Sequence, residues 1–139
     1  MRAYVQRVSG LTLAARAGSN HWVITDAPEN LSGSNAGSRP MEMILMGLGT
    51  CTGMDVLSIL EKMRVELDDF QMEITSERAK EHPKVFTKIH LKYYFYGKDI
   101  PGKSVERAIE LSQTVYCSVT KMLSSTAEIT HDYEIKEKK

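Results

Sequence analysis

The sequence predicts a protein of the α+β class, in which strands and helices occur in separate runs along the chain. Three short strand patterns come first, a long apolar helical pattern follows, and then come two strands, two helices and a last strand. This order lacks the regular strand–helix–strand alternation of a parallel α/β sheet. The length of 139 residues fits one compact domain, so we expect a single domain over residues 1–139.

The N-terminal segment, residues 1–26, predicts an antiparallel meander. Alternating side chains and turn residues give three strands, Ala3–Val8, Leu11–Arg16 and His21–Thr25. Gly10 and the residues 17–20 supply the turn chemistry between them. The following residues, 26–39, are rich in Gly, Ser and Asn, which indicates a mobile surface loop.

A long central helix is predicted over residues 40–64, with Pro40 in the favoured first position. Its apolar side chains cover most of the circumference: Met43, Ile44, Leu45, Met46, Leu48, Met54, Val56, Leu57, Ile59 and Leu60. A helix of this kind must be enclosed on nearly all sides, either by the sheet and C-terminal helices or by a second subunit. Asp55 and three glycines argue against a lone membrane span, so we interpret it as a buried helix of a soluble protein.

The C-terminal segment, residues 70–136, contains the remaining elements. The predicted elements are strands Phe70–Arg78 and Val85–Tyr96, a helix after Pro101, a helix after Cys117, and a strand Glu128–Lys136. We expect the terminal Lys-Glu-Lys-Lys tail to fray.

Charge and targeting patterns exclude several classes of protein. Eighteen basic and eighteen acidic residues give a formal net charge of zero. There is therefore no basic surface for nucleic acid or anionic membranes, and we expect neither as a partner. The N-terminus has no apolar stretch of signal-peptide length, so we expect a cytoplasmic protein whose cysteines are thiols.

The two cysteines, Cys51 and Cys117, form no Cys-x-x-Cys motif, and the four histidines are scattered. This spacing predicts no metal site, and we expect no cofactor. Cys51 shares a helix face with Asp55 and Ser58, which would make a polar stripe on an apolar helix. Asp55 alone would raise the thiol pKa, so a nearby cation would be needed to favour the thiolate.

Cys117 precedes the last predicted helix, where the helix dipole favours a thiolate. Each cysteine also has a simpler interpretation, as a small apolar residue of the core. The residues by themselves leave both interpretations open.

Several segments, in this order and spacing, resemble the OsmC/Ohr family of thiol-dependent peroxidases. They are Arg39–Glu42, Leu48–Cys51, Asp55–Arg64, Glu77–Arg78, His82–Thr87, Tyr116–Val119 and Lys121–Leu123. The resemblance spans nearly the whole chain. It implies an OsmC-like intertwined homodimer with antiparallel sheets, two central helices that cross in its middle and two sites at the subunit interface.

The resemblance also implies roles for individual residues. Cys51 would be the peroxidatic cysteine and Cys117 the resolving one, with an external dithiol as reductant. Arg16 would stabilise the thiolate and Glu42 would hold the arginine; Arg39 is the other nearby cation. Nine helical positions place Glu42 opposite Cys51, so Glu42 would serve the other subunit's site or only the helix N-terminus.

We therefore expect a peroxidase that reduces organic hydroperoxides, since an apolar wall beside Cys51 suits an organic substrate. Two alternatives stay open. One is a weak or inactive OsmC-like module that binds an apolar small molecule, and the other is a reductive thiol enzyme that does not act on peroxides.

Overall fold

A computed structural model describes residues 1–137. The chain divides into two compact units, Met1–Met46 and Gly47–Lys139, and each is described by itself. The expectation of one domain over residues 1–139 stays a prediction. The predicted frayed tail, residues 136–139, lies partly outside the described residues, because positions 138 and 139 are not among them.

The first unit contains the predicted antiparallel meander. Its strands are β1 (Ala3–Ser9), β2 (Thr12–Ala17) and β3 (Trp22–Thr25), which pair in that order. Both pairings are antiparallel. The turn between β1 and β2 contains Gly10 at φ 52°, a left-handed conformation that glycine adopts without strain.

The loop after β3 surrounds the buried carboxylate of Asp26, which is 3% exposed. That carboxylate accepts hydrogen bonds from Thr12 Oγ1 at 3.0 Å and from the backbone N–H groups of Ala27, Ser34 and Ala36 at 2.7, 3.1 and 3.1 Å. The sequence did not predict this network, because a polar composition does not tell whether a side chain points towards solvent or towards the backbone of its own loop. The mobility of the loop stays a prediction.

The central helix α1 runs from Pro40 to Lys62, two residues shorter than predicted. Its buried positions are Leu48, Thr52, Gly53, Val56 and Leu60. Other apolar side chains are exposed in the single chain, among them Ile44, Met54 and Leu57, so the helix is enclosed on one side and not all round. By length and composition α1 could also cross a membrane. We assign it as a core helix because its buried positions belong to the packed interior.

The second unit is built on a three-stranded sheet. Its strands are β4 (Asp69–Arg78), β5 (Phe86–Tyr96) and β6 (Glu128–Lys136), in the order β4-β5-β6. β4 and β5 pair antiparallel, but β5 and β6 pair parallel. The expected antiparallel pairing is thus wrong for β6, because a helical crossover between two strands returns the chain in the same direction. The α+β class is confirmed.

The crossover consists of α2 (Gly102–Leu111), one turn of π-helix (Ser112–Tyr116) and α3 (Ser118–Leu123). The largest buried side chains of this unit include Leu91, Tyr93 and Phe95 from β5 and Val105 and Ile109 from α2. They form the core of this unit.

Two glycines of α1 allow close packing against β4. A Cβ added at Gly49 would lie 2.5 Å from Ile74 Cδ1, and one at Gly53 would lie 3.3 Å from the Phe70 ring. In the second unit the two glycines thus make room for the side chains of a strand.

Candidate functional site

Cys117 is positioned by the π-helical turn that follows α2. The turn is closed by a hydrogen bond from the Cys117 N–H to the Ser112 carbonyl at 2.9 Å. Single π-helical turns often occur at functional sites, because they displace a side chain from its α-helical position. Cys117 then caps α3, its Sγ accepting a hydrogen bond from the Thr120 N–H at 3.4 Å. The prediction that Cys117 heads the last helix is confirmed.

Cys51 and Cys117 converge with Asp55. The two Sγ atoms and a carboxylate oxygen of Asp55 all lie within 4.8 Å of one another. One turn of α1 places Cys51 and Asp55 on the same face, and the π-helical turn brings Cys117 to them. A disulfide needs about 2 Å between the sulfurs, so closure by about 3 Å or less would join them. Both cysteines are free thiols in the structure.

The surroundings of Cys51 favour the protonated thiol. Burial is the largest effect and raises the pKa of Cys51, and Cys117 and Asp55 raise it further. The backbone N–H of Val119 acts in the opposite direction, because a hydrogen bond to the sulfur favours the thiolate. Among the described residues of the second unit, no positively charged group is one of the main influences on the pKa of Cys51. A nearby cation would act in the opposite direction and favour the thiolate.

Asp55 is fixed by a chain of buried hydroxyl groups. Ser112 Oγ donates to Asp55 Oδ2 at 3.1 Å, because an ionised carboxylate only accepts. Ser112 has one hydroxyl hydrogen, so its 2.8 Å bond to Thr52 Oγ1 must have Thr52 as donor. By the same argument Tyr93 donates in the 2.9 Å bond between its hydroxyl and Thr52. Tyr93 thus donates to Thr52, Thr52 to Ser112, and Ser112 to the carboxylate of Asp55.

Gln113 completes this network. Its Nε2 donates to Thr52 Oγ1 and to the Tyr93 hydroxyl, each at 3.1 Å. Thr52, Tyr93 and Ser112 are fully buried, so each needs such partners. Sequence reasoning missed these four residues. The only signal is that Thr52 is a polar residue on an apolar helix next to Cys51.

A groove of about 310 Å³ leads along α1 to Asp55. Ser58, Ile59, Lys62, Leu111 and Tyr116 are among its lining residues. Ser58 and Lys62 continue the polar stripe that the sequence predicted, and Lys62 lies two helical turns beyond Asp55. Solvent and small molecules can therefore reach the carboxylate from this side.

Arg16, the predicted activating residue, belongs to the first unit. It lies on β2, where its guanidinium contacts Asn20 Oδ1 and lies 5.1 Å from the centre of the Trp22 ring. It also lines an apolar groove of that unit, together with Val5, Leu13 and other strand residues. Its role towards Cys51 stays a prediction.

Glu42 also belongs to the first unit, and it caps the start of α1. Its Oε2 accepts a hydrogen bond from the Arg39 N–H at 2.8 Å. This is the helix N-terminal role that the sequence left open. Arg39 donates from its guanidinium to the Gly37 carbonyl at 2.7 Å and to Asn35 Oδ1, so it stabilises its own loop. A catalytic role of Glu42 stays a prediction.

Comparisons with known proteins agree with this architecture. The family described as OsmC-like protein matches residues 33–132. Protein YhfA of Escherichia coli K12 is 43% identical over 135 residues, which cover 97% of this chain and 98% of YhfA.

Solved structures share the fold. A crystal structure of a protein from Aquifex aeolicus VF5 is 29% identical, with a TM-score of 0.87 over 99% of this chain and 97% of that one. An OsmC protein from Legionella pneumophila is 13% identical, with a TM-score of 0.71 over 96% and 95% of the two chains. On the family match and the identity to YhfA, the chain belongs to the OsmC-like protein family.

Proposed function

We propose that the protein is a thiol-dependent peroxidase that reduces organic hydroperoxides through Cys51 and Cys117. One observation carries the proposal: two cysteines far apart in the chain place their sulfurs within 4.8 Å of each other, beside a groove open to small molecules. The fold neighbour from Legionella pneumophila is named an organic hydroperoxide resistance protein. At 13% identity it shares only the fold, so the proposal rests on the two sulfurs.

The chemistry needs both sulfurs and no cofactor. The Cys51 thiolate attacks the O–O bond, the alcohol leaves with a proton from its surroundings, and Cys51 becomes a sulfenic acid. The Cys117 thiol then condenses with the sulfenic acid, which forms the disulfide and releases water. An external dithiol returns two electrons and two protons by exchange. A cytoplasmic location, which supplies such dithiols, is part of the proposal.

Activation of Cys51 requires a positive charge, and we assign it to Arg16 of a second copy. α1 exposes apolar side chains in the single chain, including Met54 at 68% and Leu57 at 39%. A homodimer that covers this face would remove them from water. In such a homodimer, Arg16 of one copy, which is exposed on β2, would approach Cys51 of the other copy. Glu42, at the start of α1, would then orient that arginine.

The substrate class follows from the groove. Ile59, Leu111 and Tyr116 give it apolar walls beside the polar group of Asp55. Binding sites for small organic molecules combine apolar walls with few polar groups in this way. An alkyl or aryl hydroperoxide therefore fits better than hydrogen peroxide.

The direct test is a titration of free thiols before and after one equivalent of cumene hydroperoxide. We expect both thiols to disappear together, to return with dithiothreitol, and to be lost more slowly with hydrogen peroxide. Cys51→Ser should abolish the reaction, whereas Cys117→Ser should stop at a sulfenic acid that a dimedone probe traps. Ser118→Ala, next to Cys117, is the matched control and should react as the wild type does. Unchanged peroxide consumption in Cys51→Ser would refute the proposal.

One observation favours a second candidate, a binding module without turnover. The raised pKa of Cys51 leaves the thiol protonated unless a cation is supplied. If Arg16 does not reach the site, the same groove would hold an apolar small molecule and do no chemistry. Binding of a hydroperoxide-like alcohol, such as cumyl alcohol, together with no loss of thiols, would identify this case.

A further inference from the structure

We propose that Cys51, Asp55 and Cys117 form a binding site for Zn²⁺. The site uses residues of the proposed peroxidase, but it goes beyond that function because binding requires neither peroxide nor turnover. The described residues offer this cluster of three possible ligands from two distant segments of the chain.

The geometry of the three groups is close to that of a bound zinc ion. Zinc–sulfur bonds of about 2.3 Å and zinc–oxygen bonds of about 2.1 Å at tetrahedral angles place ligand atoms roughly 3.5–3.8 Å apart. The ligand atoms here all lie within 4.8 Å of one another. Side-chain rotations that move them by about 1 Å would complete the site. Since Cys51 and Asp55 are one helical turn apart, the helix itself fixes two of the three ligands.

The chemistry of the donors selects zinc. Two thiolates and one carboxylate are ligands that Zn²⁺ prefers, whereas Mg²⁺ and Ca²⁺ prefer oxygen alone. The three groups carry up to three negative charges at short range, which a divalent cation would neutralise. Binding exchanges protons for metal: each cysteine that is a thiol before binding releases one proton to the solvent.

Hydrogen bonds already hold two of the ligands. Ser112 Oγ donates to Asp55 at 3.1 Å, and the Thr120 N–H donates to Cys117 Sγ at 3.4 Å. Bonds of this kind orient metal ligands, and their loss typically lowers metal affinity by about 10–100-fold. The hydroxyl chain of Tyr93, Thr52 and Ser112 ends at Asp55 Oδ2, so the bond that orients this carboxylate is itself supported by buried partners.

The site is accessible from one side. Cys117 is buried, but Cys51 is only partly buried and the groove reaches Asp55. Three protein ligands and one position open to water are the arrangement of exchangeable zinc sites. The spacing of cysteines and histidines predicted no metal site, because these ligands meet only through the π-helical turn before Cys117.

The experiment measures zinc binding to the reduced full-length protein by competition with a chromophoric chelator. We expect one Zn²⁺ per chain, and with Co²⁺ a thiolate-to-metal absorption band. Cys51→Ser and Cys117→Ser should each weaken binding by at least about 100-fold, and Asp55→Asn and Ser112→Ala by about 10–100-fold. Asp132→Asn is the matched control, because it removes a carboxylate beside an exposed histidine elsewhere in the same unit.

The outcomes separate this inference from the proposed function. Diamide, which takes two electrons from the two thiols and forms the disulfide without peroxide, should release the bound zinc. Zinc binding without peroxidase activity would leave the metal site standing and refute only the peroxidase. A stoichiometry below one, no thiolate band with Co²⁺, or equal affinity in Cys51→Ser would overturn the metal site. So would loss of binding in Asp132→Asn, and circular dichroism of each variant excludes unfolding as the cause.

Discussion

Two acidic sites of this protein differ in how their negative charge is stabilised. Asp26, in the first unit, accepts hydrogen bonds from one hydroxyl and three backbone N–H groups of its own neighbourhood. These bonds, that of Ala36 most of all, lower the pKa of Asp26. Cys51, in the second unit, lies beside two further acidic groups and its pKa is raised.

The two sites differ in whether the surrounding groups favour the charged form: they do so for Asp26, and they oppose it for Cys51. The charge of Asp26 is balanced by one donor from β2 and three from its own loop, so these groups of the first unit use its hydrogen-bonding capacity. The charge that would form on Cys51 has one backbone N–H in its favour, and burial and two acidic neighbours against it. We propose that this site is completed by a positive group, either Arg16 of a second copy or a metal ion.

The largest expected effect comes from the proposed external cation. Replacing Arg16 by Ala should reduce the rate of reaction with cumene hydroperoxide by about 100-fold, since one electrostatic stabiliser of a reacting charge contributes about that much. Stopped-flow measurement of thiol loss gives the rate. Arg7→Ala, an arginine on β1, is the control and should change little. Equal rates in both variants would show that Arg16 does not activate Cys51.

Asp26→Asn tests how much the carboxylate of Asp26 and its four hydrogen bonds stabilise the folded protein. The amide lacks the charge that four donors stabilise, and its own NH₂ group would face some of those donors. We expect Tm to fall by several degrees, with faster proteolysis within residues 26–39. Asp69→Asn, at the exposed start of β4, serves as control. Wild-type stability in Asp26→Asn would mean that the loop is held by other contacts.

The same variant predicts a change in pH dependence. Because the pKa of Asp26 is lower in the folded protein, its contribution is fully present above the unfolded value of about 3.9 and is lost as the pH falls through the folded value. Unfolding free energy should therefore decrease less steeply below pH 4 in Asp26→Asn than in the wild type. Urea titrations between pH 2 and 6 measure this difference, and parallel curves would contradict it.

At Cys51 the surroundings raise the pKa, whereas at Asp26 they lower it. Asp55 raises the pKa of Cys51, so Asp55→Asn should lower it and move the pH profile of Cys51 alkylation to lower pH. The measurement uses iodoacetamide in a Cys117→Ser background, where only one thiol reacts. Glu134→Gln, on β6, tests whether any lost carboxylate has the same effect. A profile that moves to higher pH would show that Asp55 stabilises the thiolate.

The smallest effect is expected for the buried hydroxyl chain. Tyr93→Phe removes the first donor of the path to Asp55 and should lower the free energy of unfolding by about 1 kcal/mol. Tyr133→Phe is matched, because the hydroxyl of Tyr133 donates only to the exposed Glu106. Chemical denaturation compares the two variants. An equal and negligible loss in both would mean that the chain does not hold Asp55.

The sequence predicted most of the local structure. The three strands of the meander, α1 from Pro40, and Cys117 at the head of α3 follow from patterns that involve residues at most four positions apart. The family and both cysteines of the site were also predictable, because their segments keep order and spacing. Such patterns depend on neighbours along the chain, and the sequence displays them directly.

The sequence by itself thus determined the elements, the family and the two cysteines. Only the tertiary structure decided that β6 runs parallel to β5 and that Asp26 turns into its loop. It also decided that a hydroxyl chain of Ser112, Thr52 and Tyr93 leads to Asp55, close to both sulfurs. The physical reason is that these features are contacts between residues distant in the chain. A hydroxyl or carboxylate is equally compatible with solvent and with a buried partner until the fold brings that partner within about 3 Å.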